Sequence, residues 1–162
     1  MTHDTRDAIA TCLWFDRNGE EAARFYVDLF PGASIDRIMH APAAYPAGET
    51  GNVLMIEFTL FGRRFQALNG GPNVPFTEAI SLSIDCDGQA EVDRYHDALS
   101  AHPDREQCGW VKDRFGLSWQ IVPRLLPTLL CDPDRAKAKR VMEAMMTMGK
   151  IDVAAIERAA RG

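Results

Sequence analysis

The stretch from residue 108 to residue 123, CGWVKDRFGLSWQIVP, has the pattern of a β-hairpin. Two short runs rich in apolar and aromatic residues flank a glycine-containing turn over 113–116, as expected for two antiparallel strands. Alternate residues of the second run form two faces. The apolar face consists of Leu117, Trp119 and Ile121, and the mixed face consists of Ser118, Gln120 and Val122. A sheet with one such mixed face can form the wall of a ligand cavity.

The register of this hairpin decides which side chains share the mixed face. Pairing across a four-residue loop at 113–116 places Trp110 opposite Trp119 and Gly109 opposite Gln120. Both tryptophans then face the helices, and Gly109 leaves space beside the amide. A β-bulge would shift the pairing by one residue, which leaves open the face occupied by Cys108, Trp110 and Lys112.

The elements predicted around the hairpin recur in the same order along the chain. The first copy has a strand over 9–15, a helix from the N-cap Asn18 to the stop at 31–32, and strands over 34–39, 53–60 and 64–68. The second copy has a strand over 79–86, a helix capped by Asp87, a strand near 105–111 and a last strand over 117–122. The pattern predicts an α+β fold with two βαβββ modules in one domain over 1–162.

The first module is predicted to span residues 8–70 and the second to span 78–123, with a helical tail over 125–162. In the tail, Asp132 and Pro133 favour the start of a helix that ends at Gly149. Asp152 is the expected N-cap of a last short helix.

Composition excludes several classes of function. The chain has 162 residues and a formal net charge of −5, and it has no Lys/Arg cluster of the kind that nucleic-acid binding requires. No apolar run approaches the roughly 18 to 20 residues that span a bilayer, and residues 1–7 do not resemble a secretory signal. The four cysteines are widely spaced and form no C-x-x-C pair, which favours reduced thiols in a cytoplasmic protein.

Alternation in the other strands separates an apolar face, which includes Ile80, from a mixed face. A two-residue turn at Gly62 and Arg63 pairs Gln66 with Thr59 and Phe65 with Leu60. We expect the mixed faces to line a concave ligand site, formed by Cys12, Trp14, Glu57, Thr59, Gln66, Ser81, Ser83, Ser118 and Gln120. The alternative is a polar sheet face that is simply solvated.

Within this set, Trp14 is predicted to stack on the ligand, and Gln66 and Gln120 are predicted to donate hydrogen bonds to it. Glu57 is the candidate general base, because a carboxylate in an apolar cup has a raised pKa. Lys112 and Asp113 border the turn, where they are expected to pair with each other or with Arg114 in a solvated arrangement.

Four segments carry a resemblance to a known family: LWFD with EEAARFY in 13–26, FQALNGG in 65–71, the hairpin in 108–123, and AMMTMGKID in 144–152. They resemble the vicinal oxygen chelate (glyoxalase/bleomycin-resistance) superfamily, and within it the 3-demethylubiquinone-9 3-methyltransferase-like, or PhnB-like, branch. The resemblance implies paired βαβββ modules, a homodimer and a site in the cup of the sheet.

The resemblance also implies positions for metal ligands, which fall near Ala10 and at Gln66, Ala79 and Gln120. Alanine cannot bind a metal ion, and amide oxygens are weak neutral ligands, so we predict no metal and no cofactor. The implied methyl transfer also lacks its usual sequence pattern, because no helix opens after Gly70 and Gly71.

The predicted function is the binding of a small, partly aromatic molecule without a metal ion, in a cytoplasmic homodimer with no nucleic-acid or membrane partner. One alternative is an enzyme of the vicinal oxygen chelate type, such as a lyase, a dioxygenase or a quinone-precursor methyltransferase. The second alternative is a structural dimer with a vestigial cavity.

Overall fold

The computed structural model describes residues 8–162, which divide into two compact units between Phe76 and Thr77. The first unit contains β1 (Thr11–Phe15), α1 (Gly19–Leu29), β2 (Ser34–His40), β3 (Val53–Leu60) and β4 (Arg63–Asn69). Its sheet has the order β1-β4-β3-β2, with β1 parallel to β4 and the other neighbours antiparallel. This is the predicted βαβββ order.

Helix α1 packs on one face of this sheet through Ala22, Ala23 and Tyr26, which are buried. The small alanines allow close approach, and the Tyr26 ring stacks on Phe58 with 6.3 Å between the centroids. The sequence predicted that the side chain of Asn18 caps this helix, but Asn18 makes no side-chain cap hydrogen bond. Instead, the N–H of Gly19 donates to Oδ1 of Asn69 at 2.9 Å, so the cap comes from the end of β4.

The β3–β4 turn is formed by Phe61 and Gly62, which both have positive φ (47° and 73°). Positive φ at both central residues is the type I′ geometry that suits two-residue hairpins. As a result Glu57 lies opposite Gln66, and the predicted pairing of Gln66 with Thr59 is wrong by two residues. A shift of two residues keeps every side chain on its predicted face.

The second unit contains β5 (Leu82–Cys86), α2 (Gln89–Leu99), a 3₁₀ turn (Pro103–Arg105), β6 (Trp110–Lys112) and β7 (Ser118–Pro123). Its described residues form a sheet of three strands in the order β5-β7-β6, with β5 parallel to β7. The mixed α+β fold is the one predicted, although this sheet has one strand fewer than the sheet of the first unit. Strand β5 also starts later than expected, and Ile80 is exposed rather than packed on a helix.

Three helices follow β7: α3 (Leu125–Leu130), α4 (Arg135–Met145) and α5 (Val153–Arg161). They share a small core of buried Leu126, Val141, Ile151 and Ile156. Asp152 caps α5 as predicted, whereas the side chain that caps α4 is Asp134 rather than Asp132. No helix in residues 8–162 has the length and apolar character to cross a membrane.

The segment between α4 and α5 runs along the edge of the second sheet. The N–H groups of Cys108 and Gly109 donate to the carbonyl oxygens of Met148 (2.7 Å) and Gly149 (2.8 Å). Gln89 of α2 donates to the carbonyl of Ile151 and accepts from the N–H of Val153. The helical tail is therefore hydrogen-bonded to the strand that leads into β6.

Candidate ligand-binding site

The polar face of the first sheet brings together several predicted residues. Cys12, Gln66, Glu57 and Arg37 lie at neighbouring register positions across the four strands. The Nε2 atom of Gln66 lies 3.4 Å from Oε1 of Glu57, and Nε of Arg37 donates to Oε2 at 2.9 Å. Both oxygens of the predicted base are thus engaged within the chain.

Arg37 also reverses the expected acidity of Glu57. The hydrogen bond from the Arg37 guanidinium lowers the pKa of Glu57, and this effect outweighs the opposing effect of burial. The raised pKa expected for Glu57 is therefore wrong. The cup is not apolar at this position, because β2 supplies Arg37 at the point where a bulge interrupts the register of the strand. A lowered pKa makes Glu57 a weaker proton acceptor, and its role as a general base stays a prediction.

Thr59 and Trp14, which were also predicted on this face, have partners in the chain. The hydroxyl of Thr59 donates to Oδ2 of Asp36 at 2.7 Å. The indole Nε1 of Trp14 donates to the carbonyl of Gly71 at 2.8 Å, and its ring lies directly over Gly70. A Cβ atom at Gly70 would lie 2.4 Å from that ring, so glycine is required there. Trp14 thus holds the chain segment that leaves β4.

The hairpin of the second unit has a different register from the one expected. Val111 lies opposite Trp119, Trp110 lies opposite Gln120, and Lys112 lies opposite Ser118. The loop therefore covers residues 113–117 instead of 113–116, and the shift of one residue exchanges the two faces of β6. Val111 is buried in the core, and Trp110, predicted to be there, is on the polar face and 36% exposed.

Asp113 is the physical reason for this longer loop. Its Oδ1 accepts hydrogen bonds from the N–H groups of Phe115 (2.9 Å) and Leu117 (3.0 Å). Its Oδ2 accepts from the indole Nε1 of Trp119 at 2.8 Å. The expectation that Asp113 joins a solvated group with Lys112 and Arg114 is wrong, because its side chain is buried inside the turn.

The polar face of the second sheet contains all four residues predicted there. The Nε2 atom of Gln120 donates to Oγ of Ser81 at 2.8 Å, and Ser83 lies opposite Gln120 in the register. Ser118 lies next to them on β7 and faces Lys112. The amide that was predicted to bind a ligand is therefore already bound to Ser81.

A cavity of about 700 Å³ opens beside this face, wholly within the second unit. The sheet contributes Trp110, Lys112 and Ser118 to its lining, and the segment around the 3₁₀ turn contributes His102, Arg105 and Cys108. In that segment, Oε2 of Glu106 lies 3.0 Å from Nε2 of His96 on α2. The C-terminal end of α4 completes the wall with Met145 and Met146.

Ser118 is the feature of this lining that most needs an explanation. Its side chain is only 2% exposed, and Oγ has no hydrogen-bond partner among the described residues. Leaving a buried hydroxyl unpaired costs about 1–3 kcal/mol relative to a paired one. Nearby, Nζ of Lys112 lies 3.3 Å from Oε1 of Glu78, whose side chain is 63% exposed. The residues that line the cavity thus include a buried unpaired hydroxyl, an ammonium group that contacts one exposed carboxylate, and a partly exposed indole.

Of the residues predicted for a ligand site, Ser118 alone lines this cavity, and the other lining residues were not among those predicted. Trp110 and Lys112 depend on the register of the hairpin, and Met145 and Met146 belong to the helical tail, outside the two predicted modules. The run of methionines was a usable indication, because this flexible side chain suits adaptable binding surfaces.

The donor set does not fit a divalent metal ion. Gln66 and Gln120 could offer only a neutral amide oxygen each, and the other two implied positions are alanines. In residues 8–162, no three side chains of His, Cys, Asp or Glu come together in a group that could hold a metal ion. Amide oxygens alone are poor ligands for such ions.

The two small sheets and their helices define a mixed α+β fold. A sequence model of the family described as 3-demethylubiquinone-9 3-methyltransferase matches residues 7–122, and the chain belongs to this family. The matched region ends just before α3, so the helical tail lies beyond it. No curated protein matches the sequence at a significant level.

Solved structures agree with this assignment. The PhnB protein from Bacillus cereus shares 31% sequence identity, and the match covers 72% of this chain and 98% of that one with a TM-score of 0.60. A protein from Pseudomonas aeruginosa shares 21% identity over 71% of this chain and 96% of its own, with a TM-score of 0.56. The second match is evidence of a shared fold alone.

The family's descriptive name implies methyl transfer, which usually draws on an adenosyl cofactor. Such nucleotides commonly bind where a glycine-rich loop after a parallel strand enters a helix. Here the N–H groups of Gly70 and Gly71 both donate to the carbonyl of Phe15, at 3.0 and 3.3 Å. The next helix after these glycines is α2, which begins only at Gln89. The one glycine pair after a strand in the described chain therefore does not form that cradle.

Proposed function

We propose that this protein binds a small, planar, partly apolar molecule in the cavity of the second unit, without the help of a metal ion. The observation that carries the proposal is the buried, unpaired hydroxyl of Ser118 in the wall of a cavity of about 700 Å³. Buried polar groups are almost always hydrogen-bonded, so a ligand oxygen or nitrogen is the natural partner for this one. A cavity of this volume is within the range of small-molecule sites.

The apolar part of the lining suits a flat ligand. Trp110 is partly exposed, and Met145, Met146 and Cys108 line the same cavity. The Sγ atom of Cys108 lies 3.7 Å from Sδ of Met146, so soft, polarizable atoms form one side of the cavity. Stacking on an indole and contact with thioether sulfur both favour an aromatic ring.

Tryptophan fluorescence tests the proposal, because the three tryptophans of the chain have separate environments. Trp110 lines the cavity, Trp14 lies on the first sheet, and Trp119 is buried beside Asp113. We expect small aromatic molecules, quinone precursors among them, to raise the melting temperature and quench the emission. Trp110→Phe should abolish the quenching, and the matched control Trp14→Phe should retain it.

Two outcomes would overturn the proposal. One is that no compound raises the melting temperature or quenches the emission. The other is that Trp14→Phe removes the response and Trp110→Phe does not, which would move the site to the first sheet.

We further propose that the protein is a cytoplasmic homodimer. The resemblance to the superfamily supports the dimer, and the four widely spaced cysteines, each a free thiol, support a reducing compartment. Light scattering on the purified protein tests the assembly, and a monomer at micromolar concentration would contradict it.

A further inference from the structure

We propose that the ligand carries an anionic oxygen group, a carboxylate or a similar oxyanion, which Lys112 and Ser118 bind together. This inference rests on the proposed function and adds the chemical class of the ligand: a small aromatic acid. It follows from the pairing of β6 with β7, which sequence reasoning misplaced.

Lys112 and Ser118 lie directly opposite each other in antiparallel strands, so their side chains leave the sheet on the same face. The Ser118 hydroxyl can donate one hydrogen bond, and it has no acceptor among the described residues. The Lys112 ammonium can donate three, and its side chain is only 21% exposed, which keeps it against the cavity. A carboxylate has two oxygens, and one can accept from each group.

Glu78 occupies part of this position in the absence of a ligand. Its Oε1 lies 3.3 Å from Nζ of Lys112, and most of its side chain is in solvent. An exposed ion pair of this kind contributes little to stability, so a ligand carboxylate can replace Glu78 at small cost. Glu78 therefore competes with the ligand anion for Lys112 and does not itself bind the ligand.

The other ionisable groups that line the cavity are Arg105, Asp104 and His102. With Lys112 and Glu78 they leave the lining close to neutral, so the field of the whole cavity does not select an anion. The selection comes from the local pair of an ammonium and an unpaired hydroxyl, whose residues lie opposite each other on one face of the sheet. A buried charge-assisted hydrogen bond is stronger than a neutral one, and this difference gives the preference.

Trp110 supplies the second half of the ligand class. It precedes Lys112 by two residues on β6, so the two side chains are about 7 Å apart on one face of the sheet. A small molecule whose ring bears a carboxylate spans that distance, with the ring against the indole and the carboxylate at Lys112. An aliphatic acid would leave the indole without a partner.

Calorimetric titration with two probes of the same shape tests this inference: 2-naphthoate, which is anionic, and 2-naphthamide, which is neutral. We expect naphthoate to bind at least about tenfold more tightly, which corresponds to a charge-assisted hydrogen bond. Lys112→Gln should remove the preference, and Ser118→Ala should weaken naphthoate binding more than naphthamide binding. Glu78→Gln should strengthen naphthoate binding, because it removes the competitor.

Lys137→Gln is the matched control, since Lys137 pairs with Asp132 outside the cavity and its loss should leave both affinities unchanged. Thermal melting of each variant shows that it is folded. Equal affinities for the two probes, or a preference that survives in Lys112→Gln, would overturn the anionic class and leave small-molecule binding intact. If neither probe binds while another aromatic quenches Trp110, the class is wrong, and if nothing quenches Trp110, the proposed function itself fails.

Discussion

The polar faces of the two sheets differ in how their side chains are paired. On the first sheet, Glu57 is bonded to Arg37, Thr59 to Asp36, and Trp14 to the carbonyl of Gly71. On the second sheet, the Ser118 hydroxyl is buried without a partner beside a cavity that also exposes Trp110. Both faces contain hydroxyl, amide and indole groups, so composition does not separate them. The face with the unpaired group is the one with unused binding capacity.

Asp113 offers the largest expected effect in this comparison. Asp113→Ala leaves two backbone N–H groups and the Trp119 indole without their acceptor, and we expect a loss of about 3 kcal/mol in the free energy of unfolding. Asp36→Ala is the control on the first sheet, where an exposed aspartate accepts from Ser34 and Thr59, and it should cost less than about 1 kcal/mol.

Urea denaturation of both variants measures the difference. Equal losses would mean that the turn of the second hairpin does not depend on Asp113, and the explanation of its register would fail.

Ser118→Ala should have a smaller effect, and in the opposite direction. Removal of an unpaired buried hydroxyl eliminates an unsatisfied group, so the stability should stay the same or rise by up to about 1 kcal/mol. Thr59→Val removes a paired hydroxyl on the first sheet and should lower stability by about 0.5 kcal/mol. Thermal melting at one pH compares them, and a clear loss in Ser118→Ala would show that its hydroxyl is satisfied.

The smallest expected effect is the pH dependence of the free energy of unfolding that results from the pairing of Arg37 with Glu57 on the first sheet. Because the pKa of Glu57 is lowered in the folded protein, its contribution is present above the ordinary glutamate pKa, about 4.3, and is lost as the pH falls through the lower folded value. Arg37→Gln should therefore lower stability at neutral pH and have no effect at strongly acidic pH.

Denaturation curves across this range test the sign. In a Glu57→Gln background the same substitution should show no pH dependence, since the interacting carboxylate is absent. A pH-independent effect of Arg37→Gln in the unmodified chain would contradict the assignment.

Much of the fold could be predicted from sequence. The strands of the first unit, helix α1 and the N-cap Asp152 follow from apolar alternation, helical periodicity and local turn chemistry, all of which act over a few residues. The face of Gln66 was also correct, because an error of two residues in register preserves the face of a strand.

The predictions that were wrong depend on interactions between residues far apart in sequence, or on a shift of one residue in strand register. Asn69 caps α1 from 50 residues away, a contact that no local motif indicates. The hairpin loop is one residue longer than expected because the side chain of Asp113 turns inward. The extra loop residue shifts the register of β6 and moves Trp110 and Lys112 to the polar face. The acidity of Glu57 depended on Arg37, which reaches it through a bulge in a neighbouring strand.

The hairpin over residues 108–123 therefore shows both what sequence determined and what it left to the tertiary structure. The alternation of Leu117, Trp119 and Ile121 with Ser118 and Gln120 established by itself that β7 has a core face and a polar face, because the period of a strand is a property of the backbone. Which residues line the cavity depends on the register of β6 and on the position of the C-terminal end of α4. These depend on buried hydrogen bonds and packing between distant segments, which only the folded chain brings together.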